Sequence, residues 1–101
     1  MTWVDAADAS LPDESVLAFE AAGTAIALAR VDGAWHAVET WCTHAECPLS
    51  DGWVEGAAIR CSCHGSLFDL ATGEVVEGPA EDPVRVFPTR LHRDRVEIEV
   101  A

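Results

Sequence analysis

Four potential metal ligands stand in two short runs, Cys42-Thr43-His44 and Cys61-Ser62-Cys63-His64. If they act together, the fold must bring these runs face to face. The pattern supplies two thiolates and two imidazoles. Thiolates suit zinc and iron–sulfur iron, and imidazole serves several first-row metals, so the donor set alone leaves the metal open. Spacing is more selective. Zinc ligand pairs are usually separated by roughly two to four residues, so the single residue between Cys42 and His44 suits a zinc finger or ribbon poorly. A zinc-stabilised interaction module without redox activity stays open as an alternative.

The residues around these runs narrow the choice. Ala45-Glu46-Cys47-Pro48-Leu49-Ser50-Asp51-Gly52 follows the first pair, Gly65-Ser66-Leu67-Phe68-Asp69 follows the second, and Thr72-Gly73 and Gly78-Pro79 come later. With the ligand runs they are similar to the loops of Rieske [2Fe-2S] proteins, in which histidines replace two cysteines on one of the two irons. From about Ser10 to Val100 the chain resembles the small soluble Rieske ferredoxins of bacterial aromatic-ring-hydroxylating dioxygenases, of the type that handles biphenyl or carbazole.

That resemblance implies one [2Fe-2S] cluster, with Cys42 and Cys61 on one iron and His44 and His64 on the other. It implies an exposed histidine tip and a covering loop at Gly78, Pro79 and Ala80. The expected function is one-electron transfer from a flavin-containing reductase to a terminal Rieske oxygenase. The chain itself is expected to be a carrier and not an enzyme. Docking is expected around His44, Ala45, Glu46, His64, Gly65 and Pro79. A Rieske-type small subunit of an assimilatory nitrite reductase is the alternative within the same fold. The presence of all four ligands argues against it, because some of those subunits lack the cluster.

Replacing two thiolates by neutral imidazoles makes an added electron easier to accept, so such centres span roughly −150 to +300 mV and not about −400 mV. Ser66 corresponds to a serine that donates to a bridging sulfide in high-potential relatives. Phe68 stands where those relatives carry a tyrosine, and the chain has no tyrosine. A low to intermediate potential is expected. Cys47 and Cys63 correspond to the pair that forms a disulfide in the respiratory branch. A bond between them is the favoured expectation, against two buried thiols.

One hundred and one residues suggest one domain, 1–101, with a cluster-binding subdomain at about 41–80. Six basic against eighteen acidic residues give a formal charge of −12, which disfavours nucleic acid and anionic membranes. There is no run of signal or membrane-span character, so a soluble, cytoplasmic protein is expected. No nucleotide-binding fingerprint is visible, so electrons are expected to come from another protein.

Short strands dominate the pattern. Ser15 to Ala21 and Thr24 to Val31, then Trp35 to Thr40 after Asp32-Gly33, read as strands leading into the first ligand run. Trp53 to Glu55 and Ala58 to Arg60 flank Gly56, and Leu67 to Asp69 and Glu74 to Val76 flank a turn ending in Gly73. Val84 to Phe87 and Arg95 to Val100 alternate, with a turn at Arg93-Asp94. Ala6 to Ala9 and Ala21 to Ala29 have the composition of helices, although Gly23 and Thr24 interrupt the second. The expected fold is all-β: a Rieske fold of small stacked antiparallel sheets with an inserted cluster-binding subdomain. Trp3, Trp35, Trp41 and Trp53 read as core or loop packing, and His36 and His92 as ordinary strand or turn residues.

Overall fold

The computed structural model describes residues 2–43 and 46–100. Among these described residues eleven strands run in chain order: β1 (Thr2–Asp8), β2 (Val16–Ala21), β3 (Thr24–Val31), β4 (Ala34–Glu39), β5 (Trp53–Glu55), β6 (Ala58–Arg60), β7 (Leu67–Asp69), β8 (Val75–Glu77), β9 (Val86–Phe87), β10 (Thr89–His92) and β11 (Arg95–Val100). They form three antiparallel sheets, ordered β1-β11-β10, β2-β3-β4-β9 and β5-β6-β7-β8. The third sheet is inserted in sequence between β4 and β9, which pair with each other. No helix long and apolar enough to cross a membrane occurs among the described residues.

The continuous apolar run of β3 follows from its position. Successive strand side chains point to opposite faces. Ile26 and Leu28 enter one core with Trp35, Phe87, Val96 and Ile98, while Ala27 and Ala29 enter a second with Leu49, Ile59, Phe68 and Leu70. A strand buried on both sides has no polar face, so alternation disappears. Small alanines serve the face toward the inserted sheet. The helix-like composition of Ala21 to Ala29 is thus overridden by burial: Ala22 and Gly23, both at positive φ, turn the chain and the remainder is strand.

Two elements differ from the sequence expectation. β1 occupies Thr2–Asp8, including the Ala-rich segment with helical composition, and pairs along β11 with a register shift between Asp5 and Ala7. The Val84-to-Phe87 strand shortens to Val86–Phe87, and Pro88 separates it from β10, which forms a hairpin with β11 across Arg93-Asp94. Proline has no N–H to donate to a ladder, so the break falls there.

Glycines lock the inserted sheet to its surroundings. A Cβ on Gly52 would overlap the Arg60 carbonyl oxygen, and one on Gly73, already at φ 80°, would overlap that of Val84. Gly52 therefore permits β5 to begin directly against the end of β6, beside Cys61. Gly73 lets the turn after β7 receive the Val84 N–H at 2.9 Å.

Candidate metal centre

The first ligand loop is closed at its base. β4 ends at Glu39, Trp41 forms an isolated bridge with Pro48, and the Cys42 N–H donates to the Cys47 carbonyl at 3.0 Å. Thr40, buried in the neck of this loop, receives the Ser50 N–H on its hydroxyl at 3.2 Å. Short polar side chains thereby satisfy a backbone that leaves the sheet.

The second loop links β6 to β7. The Cys61 N–H donates to the Ser66 carbonyl at 2.8 Å, and the Gly65 N–H returns to the Cys61 carbonyl at 3.2 Å. Gly65 has φ 80°, the left-handed conformation that glycine adopts without a Cβ penalty. Cys47 and Cys63 are joined by a disulfide, with Cα atoms 6.4 Å apart. This is the bond the resemblance favoured, and it leaves Cys42 and Cys61 as the free cysteines, both buried.

The ligand chemistry is polarised between inside and outside. Cys42 and Cys61 are 5% and 1% exposed and belong to the core that contains Leu49, Ile59 and Phe68, whereas His64 lies at the surface. His44, the fourth expected ligand, lies outside the described residues, as does Ala45. Cys47, Cys61 and Cys63 also bring their sulfurs within 4.8 Å of one another. Two of those sulfurs share a covalent bond with each other, so Cys61 is the one thiolate donor in that trio. Two buried free thiols and a surface imidazole on disulfide-joined loops suit the mixed cysteine and histidine donor set that a [2Fe-2S] group of this kind would require.

A third segment closes over the two loops. Gly78-Pro79 is a cis peptide bond, and Ala80 is buried. The Ala80 N–H donates to the fully buried Ser66 hydroxyl at 3.0 Å, and the Thr43 hydroxyl donates to the Asp82 carbonyl at 2.5 Å. The covering segment is therefore tied to both ligand loops. Ser66 accepts from Ala80 through oxygen, which leaves its own hydroxyl hydrogen to be donated elsewhere. Ser66→Ala would orphan a buried N–H and is expected to cost roughly 1–3 kcal/mol in urea unfolding. If Ser66 also donates to a bridging sulfide, as the resemblance implies, the same change should lower the midpoint potential in voltammetry. A variant with unchanged unfolding and unchanged midpoint would refute both roles.

Sequence reading did not identify the charged group beside the second loop. The Arg60 guanidinium donates to both Glu55 carboxylate oxygens (2.6 and 2.9 Å), to Glu77 (3.0 Å) and to the Gly65 carbonyl (2.7 Å). The Trp53 indole N–H donates to the same Glu55 at 2.6 Å. These donors hold the Glu55 carboxyl below its usual range, the Arg60 bond first among the causes, while Glu55 and then Glu77 hold the guanidinium firmly charged. The group was legible in principle. Trp53 pairs with Arg60 and Glu55 with Ala58, so period-2 alternation puts Trp53, Glu55 and Arg60 on one face.

The packing expectation for the tryptophans is corrected in two cases. Trp35 is buried in the core, but Trp41 and Trp53 are each 48% exposed. Trp53 lies on the outward face of a three-residue strand, and Trp41 flanks the first ligand loop, where it lines a cavity with Glu46. His36 and His92 are strand residues, on β4 and β10.

Comparison with known proteins agrees with this geometry. The profile of the Rieske [2Fe-2S] domain family matches residues 2–88. The ferredoxin component of the naphthalene 1,2-dioxygenase system of Pseudomonas aeruginosa is 33% identical over 100 residues, covering 98% of this chain and 96% of that protein. A solved complex of reduced oxygenase and oxidised ferredoxin in carbazole 1,9a-dioxygenase contains a chain that superposes with a TM-score of 0.91 at 28% identity, covering 95% of this chain and 91% of that one. A protein from Mycobacterium tuberculosis described as the small subunit of an NADH-dependent nitrite reductase superposes with a TM-score of 0.89 at 24% identity, covering 99% and 96%. The last likeness concerns the fold alone.

Proposed function

Because this chain belongs to the Rieske [2Fe-2S] domain family, we propose that Cys42, His44, Cys61 and His64 hold its cluster, with the cysteines on one iron and the histidines on the other. The protein is an electron carrier of the ferredoxin type found in aromatic dioxygenase systems, and not itself a catalyst. The bound cluster takes up and releases one electron.

The observation that carries the ligand assignment is the pair of buried free thiols on loops that a disulfide, a covering segment and a surface histidine complete. Cys42 and Cys61 bind from the apolar interior, which limits water at the sulfur side. His64 presents its imidazole at the surface, where a partner can approach. Ser66 and Ala80 hold the covering segment in place. We read 1–101 as one Rieske domain whose cluster-binding subdomain spans about 41–80, in keeping with the insertion of the β5-β6-β7-β8 sheet between β4 and β9.

The proposed partners are a flavin-containing reductase as donor and a terminal Rieske oxygenase as acceptor, and the proposed location is the cytoplasm. The docking face comprises the surface around His64, Glu46, Gly65 and Pro79, together with His44 and Ala45. The exposed indole of Trp41 adds an apolar contact to this face. Contacts of this kind are small and transient. A formal charge of −12 gives a basic partner patch a complement. The nitrite reductase reading has less support, because that likeness reaches the fold alone whereas the dioxygenase ferredoxin is 33% identical over nearly the whole chain.

Purified protein is expected to be red-brown and, after reduction, to give a rhombic electron paramagnetic resonance signal of low average g. Mixed anaerobically with an oxidised Rieske oxygenase, the reduced protein should pass on its electron, so that its own g-values give way to those of the reduced oxygenase centre. Glu46→Gln combined with Trp41→Ala should slow this transfer without changing the signal itself. Colourless protein containing stoichiometric zinc would overturn the reading.

A further inference from the structure

Arg60 is the last residue of β6 and directly precedes Cys61. Within the second loop, the Cys61–Ser66 and Gly65–Cys61 backbone bonds close a turn on the end of the β6–β7 hairpin, and the Cys47–Cys63 disulfide and the Ser66–Ala80 bond hold it to its neighbours, but none of these links its tip to β5 or to the end of β8. Arg60 supplies that link. One edge of its guanidinium grips Glu55 on the neighbouring strand, the same group reaches Glu77 at the end of β8, and Nη1 donates to the carbonyl of Gly65, next to His64. A planar fork with five N–H donors can satisfy three partners lying in different directions. An ammonium on a flexible stem cannot reproduce this arrangement.

We propose that Arg60 is a positioning residue for electron transfer: it orients the histidine-bearing loop through the Gly65 carbonyl and keeps a fixed positive charge beside the centre. The inference rests on reading the centre as a Rieske cluster. Arg60 is one of six basic residues against eighteen acidic ones, so its contribution runs against the field of the rest of the chain. With Glu55 and Glu77 it makes a group of formal charge −1, from one cation and two carboxylates. Removing the cation leaves −2 beside a centre that must accept an electron. Removing one carboxylate leaves zero. The side chain of Arg60 is 22% exposed, so the charge acts through a partly shielded path at short range.

Voltammetry and paramagnetic resonance on the cluster-loaded protein separate positioning from support. Arg60→Gln is expected to lower the reduced-to-oxidised ratio at a fixed electrode potential by roughly three- to tenfold, a tenfold change being about 59 mV for a one-electron couple. It should also displace the g-values, because the Gly65 carbonyl is released. Arg60→Lys keeps the charge but not the fork, so the ratio should return to within about twofold of the parent while the g-values stay displaced. Glu77→Gln, a mild surface change, should raise the ratio and decides the matter if Arg60→Gln does not fold.

Arg60→Gln with the parent's midpoint and g-values would overturn the proposal. So would a lower melting temperature and cluster yield with an unchanged midpoint in the loaded fraction, since that describes a purely structural clamp. An unchanged midpoint in Glu77→Gln would also overturn it. A parent protein without the low-average-g signal would remove the Rieske reading itself, and the role of Arg60 with it.

Discussion

Cys61→Ser is expected to yield colourless protein with no rhombic signal on reduction and iron content near zero by elemental analysis. Cys61 is 1% exposed and sits where the second loop leaves β6. Serine nearly preserves its volume, so packing with Ile59 and Phe68 should survive and the loss should trace to the ligand. A hydroxyl is a poor substitute for a thiolate on iron. Folding should weaken in parallel, since binding energy that ties two loops together is also folding energy.

Cys63→Ser is the informative contrast. If the clustered sulfurs of Cys47, Cys61 and Cys63 were the metal site, Cys63→Ser would lose iron as completely as Cys61→Ser. With Cys63 in a disulfide, iron and spectrum should instead be retained. Full iron in Cys61→Ser, or none in Cys63→Ser, would contradict the ligand set.

The candidate site was legible because its chemistry is concentrated in short runs. Cys42, His44, Cys61 and His64 stand within two segments whose neighbours Gly52, Gly73 and Pro79 belong to the same loop architecture. The structure supplies a physical reason for two of them: carbonyl oxygens occupy the space a Cβ would need at Gly52 and Gly73. Hairpins were legible where turn residues coincide with a change of direction, as at Gly56 between β5 and β6.

Elements whose local composition opposes their environment were harder to read. Asp5, Ala6, Ala7 and Asp8 are poor strand formers, yet β1 forms because β11 offers it a ladder and Ala7 is buried. No local pattern announces that pairing, which joins opposite ends of the chain. β10 was hidden for another reason. Leu91 is 59% exposed and Arg90 faces Glu97 across the hairpin, so its alternation carries little apolar signal. The Arg60 group was overlooked because a lone arginine among acidic residues resembles an ordinary solvated surface until strand register places Glu55 beside it and the β7–β8 hairpin brings in Glu77.

The Cys47–Cys63 disulfide should matter greatly without the cluster and little with it. The two cysteines are 16 residues apart, and closing a loop of that size in the unfolded chain is worth about 3 kcal/mol in the chain-entropy account. A cluster held by Cys42, His44, Cys61 and His64, as proposed, would close nearly the same loop. Once it is present, a second link between the same loops removes little further freedom from the unfolded chain, so the two contributions should not add. In urea unfolding under anaerobic conditions, Cys47→Ser/Cys63→Ser is therefore expected to cost about 3 kcal/mol in a Cys61→Ser background that lacks the cluster. In the loaded parent, the same double change should cost less than about 1 kcal/mol, with the paramagnetic resonance signal retained. The two losses measure whether disulfide and cluster restrain one loop or two. Equal losses in both backgrounds would show that they act independently and that the four ligands do not close the loop spanned by the disulfide.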